Sequence, residues 1–401
     1  MGEKKKRLIF LVRAFNDLDH FTPVMWKTLQ QGHHVELIFT DARIDQNYLT
    51  KFLKREGIIE RNPKYLRWYH SSFRPRLRGS RLCRLLDALL GVLPALVFLG
   101  FRRRSSMIVE WGGISGRELA RYFLVANRLM MIPTFSLPHG YHIWTNKNIN
   151  ELMVSLGASH KKFDFSERNR FDRVVAQSRN VGQFFQSRGV LKEKLAVIGS
   201  PRFCEEWTYK NLDLALAEHP DIGVPADKPF FLVFLGNWQY RMNRAACLGM
   251  VNALRKNRSA NIVIKGHSRG DLVGGLVPDE REIWLSETIF YANESIPSNV
   301  LIHHSRAVIN YGSSIGIEAI VQRKPLCNAS FITENTTIFD NSGVTWDAQN
   351  ISNVVEFVER VLNVPEMTTM TEESRTAFLS DHVYAGQSEA DVLDSCVNLI
   401  A

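Results

Sequence analysis

The chain is poor in cysteine: Cys83, Cys204, Cys247, Cys327 and Cys396 are an odd, scattered set in 401 residues, with no CxxC pair. That spacing excludes a disulfide framework and a cysteine zinc site, and it fits a reducing cytoplasm. The usual phosphate and cofactor signatures are also missing. Without GxxxxGK[ST] there is no P-loop for ATP hydrolysis, and without GxGxxG opening the first helix a nicotinamide enzyme is excluded. We find no Asp-x-Asp of the kind that metal-dependent group transfer uses, so neither a metal nor a cofactor is expected. A spanning helix needs about 20 apolar residues. The uncharged run Ala88 to Phe101 has only 14, with Pro94 in its middle. Lys4-Lys5-Lys6-Arg7 leads straight into LIFLV, without the apolar core and cleavage site of a secretory signal. Internal repeats, heptads and low-complexity tracts are absent too.

What is present is a globular composition, 45% hydrophobic and 23% charged, in a chain long enough for two domains. The net charge of +9 is uneven. Residues 1 to 104 carry 21 Lys/Arg against 9 Asp/Glu, and the remainder 29 against 32. Arg74, Arg76, Arg78, Arg81 and Arg84 precede the uncharged run, and Arg102, Arg103 and Arg104 follow it. Two readings stay open: an interfacial helix on an anionic membrane surface, or a buried helix bounded by surface arginines. Nucleic acid is not expected as a partner, because the arginines lack interleaved aromatic platforms.

Strand and helix signals alternate, the pattern of a doubly wound α/β sheet. The first series of apolar runs is Leu8 to Val12, Val35 to Thr40, Met107 to Glu110, Thr134 to Leu137, Arg173 to Gln177 and Leu195 to Ile198. A second is Phe230 to Leu235, Asn261 to Ile264, Val300 to His303, Ala307 to Asn310 and Pro325 to Cys327. Loop-like punctuation over Glu205 to Lys228 separates them. The expected architecture is two Rossmann-like domains with parallel sheets facing an interdomain cleft: residues 1–204, residues 205–380, and a final amphipathic helix over 381–401 packing back on the first.

Ligands in such sheets sit beyond the carboxyl ends of the strands, so the residues there are the site candidates. Tyr311-Gly312-Ser313-Ser314 follows a strand without alternation, and a helix beginning at Ser313 or Ser314 would aim backbone N–H groups at an anion. Glu318, one turn on, is placed to accept from ribose hydroxyls. Lys265-Gly266-His267-Ser268-Arg269 sets cations, an imidazole and a hydroxyl beside a flexible glycine, suited to a phosphate leaving group. Three further turns carry His139, Arg202 and, in Trp111-Gly112-Gly113-Ile114-Ser115-Gly116-Arg117, Arg117. For each, the competing reading is an ordinary loop with a solvated charge.

VAQSRNVGQFFQSRGVLKEKLAVIGSPRF, VIKGHSR and AVINYGSSIGIEAIVQRKPLCN together resemble bacterial surface-polysaccharide glycosyltransferases of GT-B architecture, with the β-Kdo transferases of O-antigen and capsule synthesis nearest. The resemblance covers mainly Arg173 to Asn328. It implies a CMP-Kdo donor, retention of the β configuration, a saccharide or lipid-linked acceptor, and a nucleotide held in the second domain by Ser313, Ser314, His267 and Glu318. Arg202 or Lys265 would pair with the Kdo carboxylate. Retention also calls for a carboxylate nucleophile or front-face attack. Asn237, just past the Phe230 to Leu235 strand, stands at the floor of the expected cleft, and an amide cannot be that nucleophile. Either Asn237 holds the sugar by hydrogen bonds, or it replaces an Asp. Exchange to Asp separates the two: a donor-dependent mass adduct with gained turnover appears only in the second case. A CDP-glycerol-type or other polymer-forming transferase of this fold, and a non-catalytic membrane-associated scaffold, are the alternatives.

Overall fold

The computed structural model describes residues 5–39, 42–69, 81–100, 105–110, 120–146, 164–236, 241–266, 283 and 286–401. The chain divides into two compact units. The first takes residues 1–141, 161–207 and 380–401. Its strands are β1 (Arg7–Val12), β2 (His34–Phe39), β3 (Ile59–Arg61), β4 (Ser105–Glu110), β5 (Thr134–Leu137), β6 (Arg173–Ala176) and β7 (Leu195–Val197). All pairings are parallel, in the order β3-β2-β1-β4-β5-β6-β7. The helices are α1 (Phe15–Gln30), α2 (Tyr48–Arg55), α3 (Lys64–Trp68), α4 (Arg81–Gly100), α5 (Ala120–Leu129) and α6 (Arg179–Ser187). Leu8 to Val12 are completely buried, as a run without alternation requires when both faces of the strand are covered.

The chain leaves the first unit within α7 (Glu205–Glu218), so most of the expected linker is helix and only the stretch after it is loop. The second unit holds β8 (Phe230–Phe234), β9 (Asn261–Lys265), β10 (Ile289–Tyr291), β11 (Ala307–Asn310), β12 (Leu326–Ala329) and β13 (Trp346–Ala348). Their order is β10-β9-β8-β11-β12-β13, again all parallel. With them go α8 (Arg244–Leu254), α9 (Ser298–His304), α10 (Gly316–Val321) and α11 (Ile351–Asn363). Val300 to His303, expected as strand, lies inside α9. A four-residue apolar run carries no period of its own, and Pro297 at the N-cap opens a helix there. The three short strands β3, β10 and β13 went unpredicted.

Each sheet repeats one topology. The first strand is flanked on one side by the second and on the other by the fourth, so the connection reverses direction beside it. These switch points fall between β1 and β4 and between β8 and β11.

The last helices, α12 (Glu372–His382) and α13 (Asp391–Ile400), bring the chain back to the first unit from Ser380. Asp394 of α13 accepts from Gln31 at 2.8 Å and lies 3.5 Å from the Lys27 ammonium beside α1. Gly199, at φ +108, makes room for that return: a Cβ there would stand 2.6 Å from the Val383 carbonyl oxygen. Among the described residues, Cys204, Cys247, Cys327 and Cys396 are free and buried. Burial pushes the Cys204 and Cys247 thiols up, to about 12 and about 11, which suits packing and not nucleophilic chemistry.

Candidate functional site

At the switch point of the first unit, the ends of three neighbouring strands converge on a buried polar cluster. Arg13 follows β1, Glu110 is the last residue of β4, and His139 comes two residues after β5, whose Leu137 is in register with Glu110. Glu110 is completely buried, and Arg13 donates to its Oε2 through Nη2. Arg13 also stands 3.4 Å from Asp17 of α1, and its backbone N–H donates to the same carboxylate at 2.9 Å. His139 Nδ1 lies 2.5 Å from Glu110 Oε1, and 28% of that side chain stays exposed. The geometry is therefore layered: a guanidinium anchors a buried carboxylate, and the carboxylate backs a half-exposed imidazole. The approach meets no hydrogen-bond geometry as it stands, but a carboxylate this close favours the tautomer with the proton on Nδ1, which makes Nε2 the acceptor.

Around this core sit His20, Asp19 and Arg202. Arg202 donates from Nε to Asp19 at 2.7 Å, with its plane over Phe203. The His20 imidazole is pushed down to about 3, chiefly by burial; Asp19 opposes the shift, while Arg202 and His139 add to it. Of the residues expected on the acceptor side, His139 and Arg202 thus share one cluster, while Arg117 lies outside the described residues. Arg202 already has a carboxylate partner in Asp19, so its expected pairing with a sugar acid would have to compete with that ion pair.

Arg13, Asp17, Asp19, His20 and Glu110 escaped the sequence reading. The signal was there: Glu110 is the one ionisable residue in the strand SSMIVE, placed at its carboxyl end. Asp17-Leu18-Asp19 is formally an Asp-x-Asp, which corrects the reading that the sequence has none. Its two carboxylates diverge from the first turns of α1, one to Arg13 and the other to Arg202. Asp17, Glu110 and His139 do present ligand atoms within 4.8 Å of one another, a donor set that suits a divalent cation. Arg13 already supplies positive charge to both carboxylates of that set.

In the second unit, the carboxyl ends of β8, β9 and β11 lie side by side, since these strands are neighbours in the order β9-β8-β11 and run parallel. Asn237, His267, Ser268 and Arg269 lie outside the described residues. Gly312 turns the chain at φ +64, and a Cβ there would meet Met242 at 2.6 Å and the Trp144 ring at 2.8 Å. Only glycine fits that turn. The helix starts later than expected, at Gly316, where a Cβ would meet Asn310 Nδ2 at 2.8 Å. The Asn310 amide in turn donates to Ser313 O at 3.0 Å. Ile315 N–H is taken by Ser313 Oγ, Gly316 N–H by Ser313 O and Ile317 N–H by Ser314 O. No hydrogen bond of the Gly312, Ser313 or Ser314 N–H groups is seen among the described residues, and both serines are half-buried.

Three expectations change here. Tyr311, expected at the donor, is completely buried with its hydroxyl 3.2 Å from Cys247 Sγ, so its ring belongs to the core. Lys265 donates to the carbonyls of Asn293, Glu294 and Ile296 at 2.9, 3.2 and 2.9 Å, which commits its ammonium to pinning a loop. Burial pushes that amine down to about 8. Glu318 is completely buried within α10, so it offers no exposed carboxylate to a ribose.

Residues 237–372 match the family model of the capsule polysaccharide biosynthesis proteins. Among curated proteins, no relative is found at a significant level of similarity. Solved structures match over nearly the whole chain at low identity. A glycosyltransferase from Rickettsia africae is 16% identical, covering 99% of this chain and 98% of its own, at a TM-score of 0.59. The UDP-GlcNAc 2-epimerase from Neisseria meningitidis, solved bound to UDP-GlcNAc, is 12% identical over 98% and 100%, at 0.60. The glycotransferase of kitacinnamycin is 13% identical over 99% and 98%, at 0.55. The chain therefore has two Rossmann-like α/β units with all-parallel sheets, the fold found in GT-B glycosyltransferases and UDP-GlcNAc 2-epimerases.

Proposed function

We propose that the protein is a glycosyltransferase of bacterial surface-polysaccharide synthesis, taking a nucleotide-activated sugar and a saccharide acceptor. The fold alone does not choose, because transferases and epimerases share it. The observation that carries the reading is the match of residues 237–372 to the capsule biosynthesis family, since that segment contains the Gly312 turn and the Lys265 loop. On this reading the donor phosphate sits on the N–H groups and hydroxyls of Gly312, Ser313 and Ser314, a small backbone nest suited to an anion. The acceptor goes to the cluster of the first unit, where His139 Nε2 takes the proton of the attacking hydroxyl and Glu110 steadies the resulting imidazolium.

In finer detail we assign the donor as CMP-Kdo, transferred without a metal and with retention. The hydroxyl activated by His139 attacks either from the face that the phosphate leaves or on a glycosyl-enzyme intermediate formed as CMP departs. A leaving group with one phosphate needs less charge neutralisation than a diphosphate, and Arg13 offsets one of the two carboxylate charges that would attract a cation. Thermal-shift titration with CMP, CDP, UDP and GDP tests the assignment. CMP is expected to raise Tm by several degrees at a concentration one hundred times its Kd, a stabilisation of about 2.7 kcal/mol, with no change on adding EDTA. Stabilisation by UDP alone, with turnover of UDP-GlcNAc, would instead favour the chemistry of the epimerase neighbours. No response to any nucleotide would remove the transferase reading.

A further inference from the structure

The helix α4 is apolar on both of its faces. A helix on the surface of a globular unit turns its apolar stripe inward and its polar residues to water. The inward face of α4 is Gly91, Ala95 and Leu99, all buried. Gly91 lets α4 approach α5 so closely that a Cβ there would stand 2.2 Å from the Tyr122 ring. The outward face is also apolar. Leu85, Leu89, Leu93 and Val97 recur every fourth residue, so they keep to one side of the helix, and they are 58%, 45%, 52% and 68% exposed. The one acid of the helix, Asp87, adds no charge to spare: the hydroxyls of Tyr69 and Tyr122 both donate to it, at 2.8 and 2.6 Å.

Next to this stripe, α3 presents two aromatics, Tyr65 and Trp68, 45% and 54% exposed with ring centroids 6.0 Å apart. Tyr65 stacks on Tyr69, which ties the pair to α4 through Asp87. Amphipathic rings of this kind favour an interface with one wet and one apolar side. Before α4 and at its start the sequence places Arg74, Arg76, Arg78, Arg81 and Arg84, and just beyond its end Arg102, Arg103 and Arg104. No helix among the described residues is long and apolar enough to cross a membrane.

We infer that the outward face of α4, with Tyr65 and Trp68 of α3, docks on the surface of an anionic phospholipid bilayer. The leucine stripe enters between the lipids and the bracketing arginines meet the headgroup phosphates. Arginines precede and follow the apolar helix in the sequence, and that charge is what favours anionic lipid over a second copy of the chain, which would carry the same eight. The inference is independent of which donor the protein uses.

The test is flotation of the full-length protein with vesicles of phosphatidylcholine, with and without phosphatidylglycerol, alongside the double variant Leu89→Glu/Leu93→Glu. The parent is expected to float with the anionic vesicles only and to be released by salt. The double variant is expected to partition at least about tenfold less. Leu89→Ser/Leu93→Ser, with its circular dichroism, serves if the charged variant fails to fold. The inference is overturned if the parent ignores both vesicle types, if both variants float as well as the parent, or if the stripe instead drives a concentration-dependent dimer that stays off vesicles.

Discussion

Exchange of His139 for alanine is expected to lower kcat for saccharide transfer by about 10²–10⁴-fold, the usual worth of a positioned general base. Nucleotide binding, read by thermal shift, should stay within about twofold, because the imidazole belongs to the first unit and the donor is assigned to the second. The expectation rests on the order of groups behind the ring. Glu110 is completely buried and held by Arg13, and its second oxygen faces His139 Nδ1 at 2.5 Å. Its charge is therefore available to an imidazolium forming in front of it, without solvent between them. Glu110→Gln keeps the shape but removes that charge and offers the wrong hydrogen-bonding partner on one side. It should lower kcat less than His139→Ala while moving the acid limb of the pH–rate profile, a change that a purely structural role would not produce. Transfer by His139→Ala within about threefold of the parent would take the proton-acceptor role away from His139.

Much of the architecture was legible because buried parallel strands announce themselves. LIFLV, FFLVF and AVIN have no alternation, and each ends at residues that stop a strand. Where the run was short the reading failed, as with Val300 to His303, since four apolar residues suit a strand or a buried turn of helix equally. The site was harder for a different reason. Arg13, Glu110, His139 and Arg202 lie far apart in sequence and meet only because β4 crosses to the far side of β1 and β5 follows it. Sequence shows which residues end strands, but not which strands become neighbours. Lys265, Tyr311 and Glu318 illustrate the converse. Each occupies a strand end or first helical turn with suitable chemistry, yet carbonyls, a thiol contact or complete burial account for them in the fold.

Acid should destabilise the protein through His20 before most carboxylates titrate. The ring's pKa is held down to about 3, first by burial and then by Arg202 and His139, against the opposing pull of Asp19. In the unfolded chain an imidazole titrates near 6.5. Between these values the unfolded state binds more protons than the folded one, so the unfolding free energy falls as the pH is lowered. The contribution of His20 is complete above about 6.5 and is lost progressively down to about 3. Because the residue is only half-buried, we discount the full shift and expect about 2 kcal/mol of lost stability between pH 7 and pH 4.5. Urea unfolding of the parent and of His20→Gln at the two pH values isolates this contribution, since glutamine keeps a polar group there but cannot take up the proton. The variant should lose about 2 kcal/mol less than the parent on acidification, whereas equal losses would mean that His20 is already free to protonate in the folded chain. The same neutrality bears on the site. A charged His20 would stand against Arg202 and His139, so keeping it neutral lets His139 take up a proton without a second cation beside it, and acid that protonates His20 should weaken the fold and the proton acceptor together.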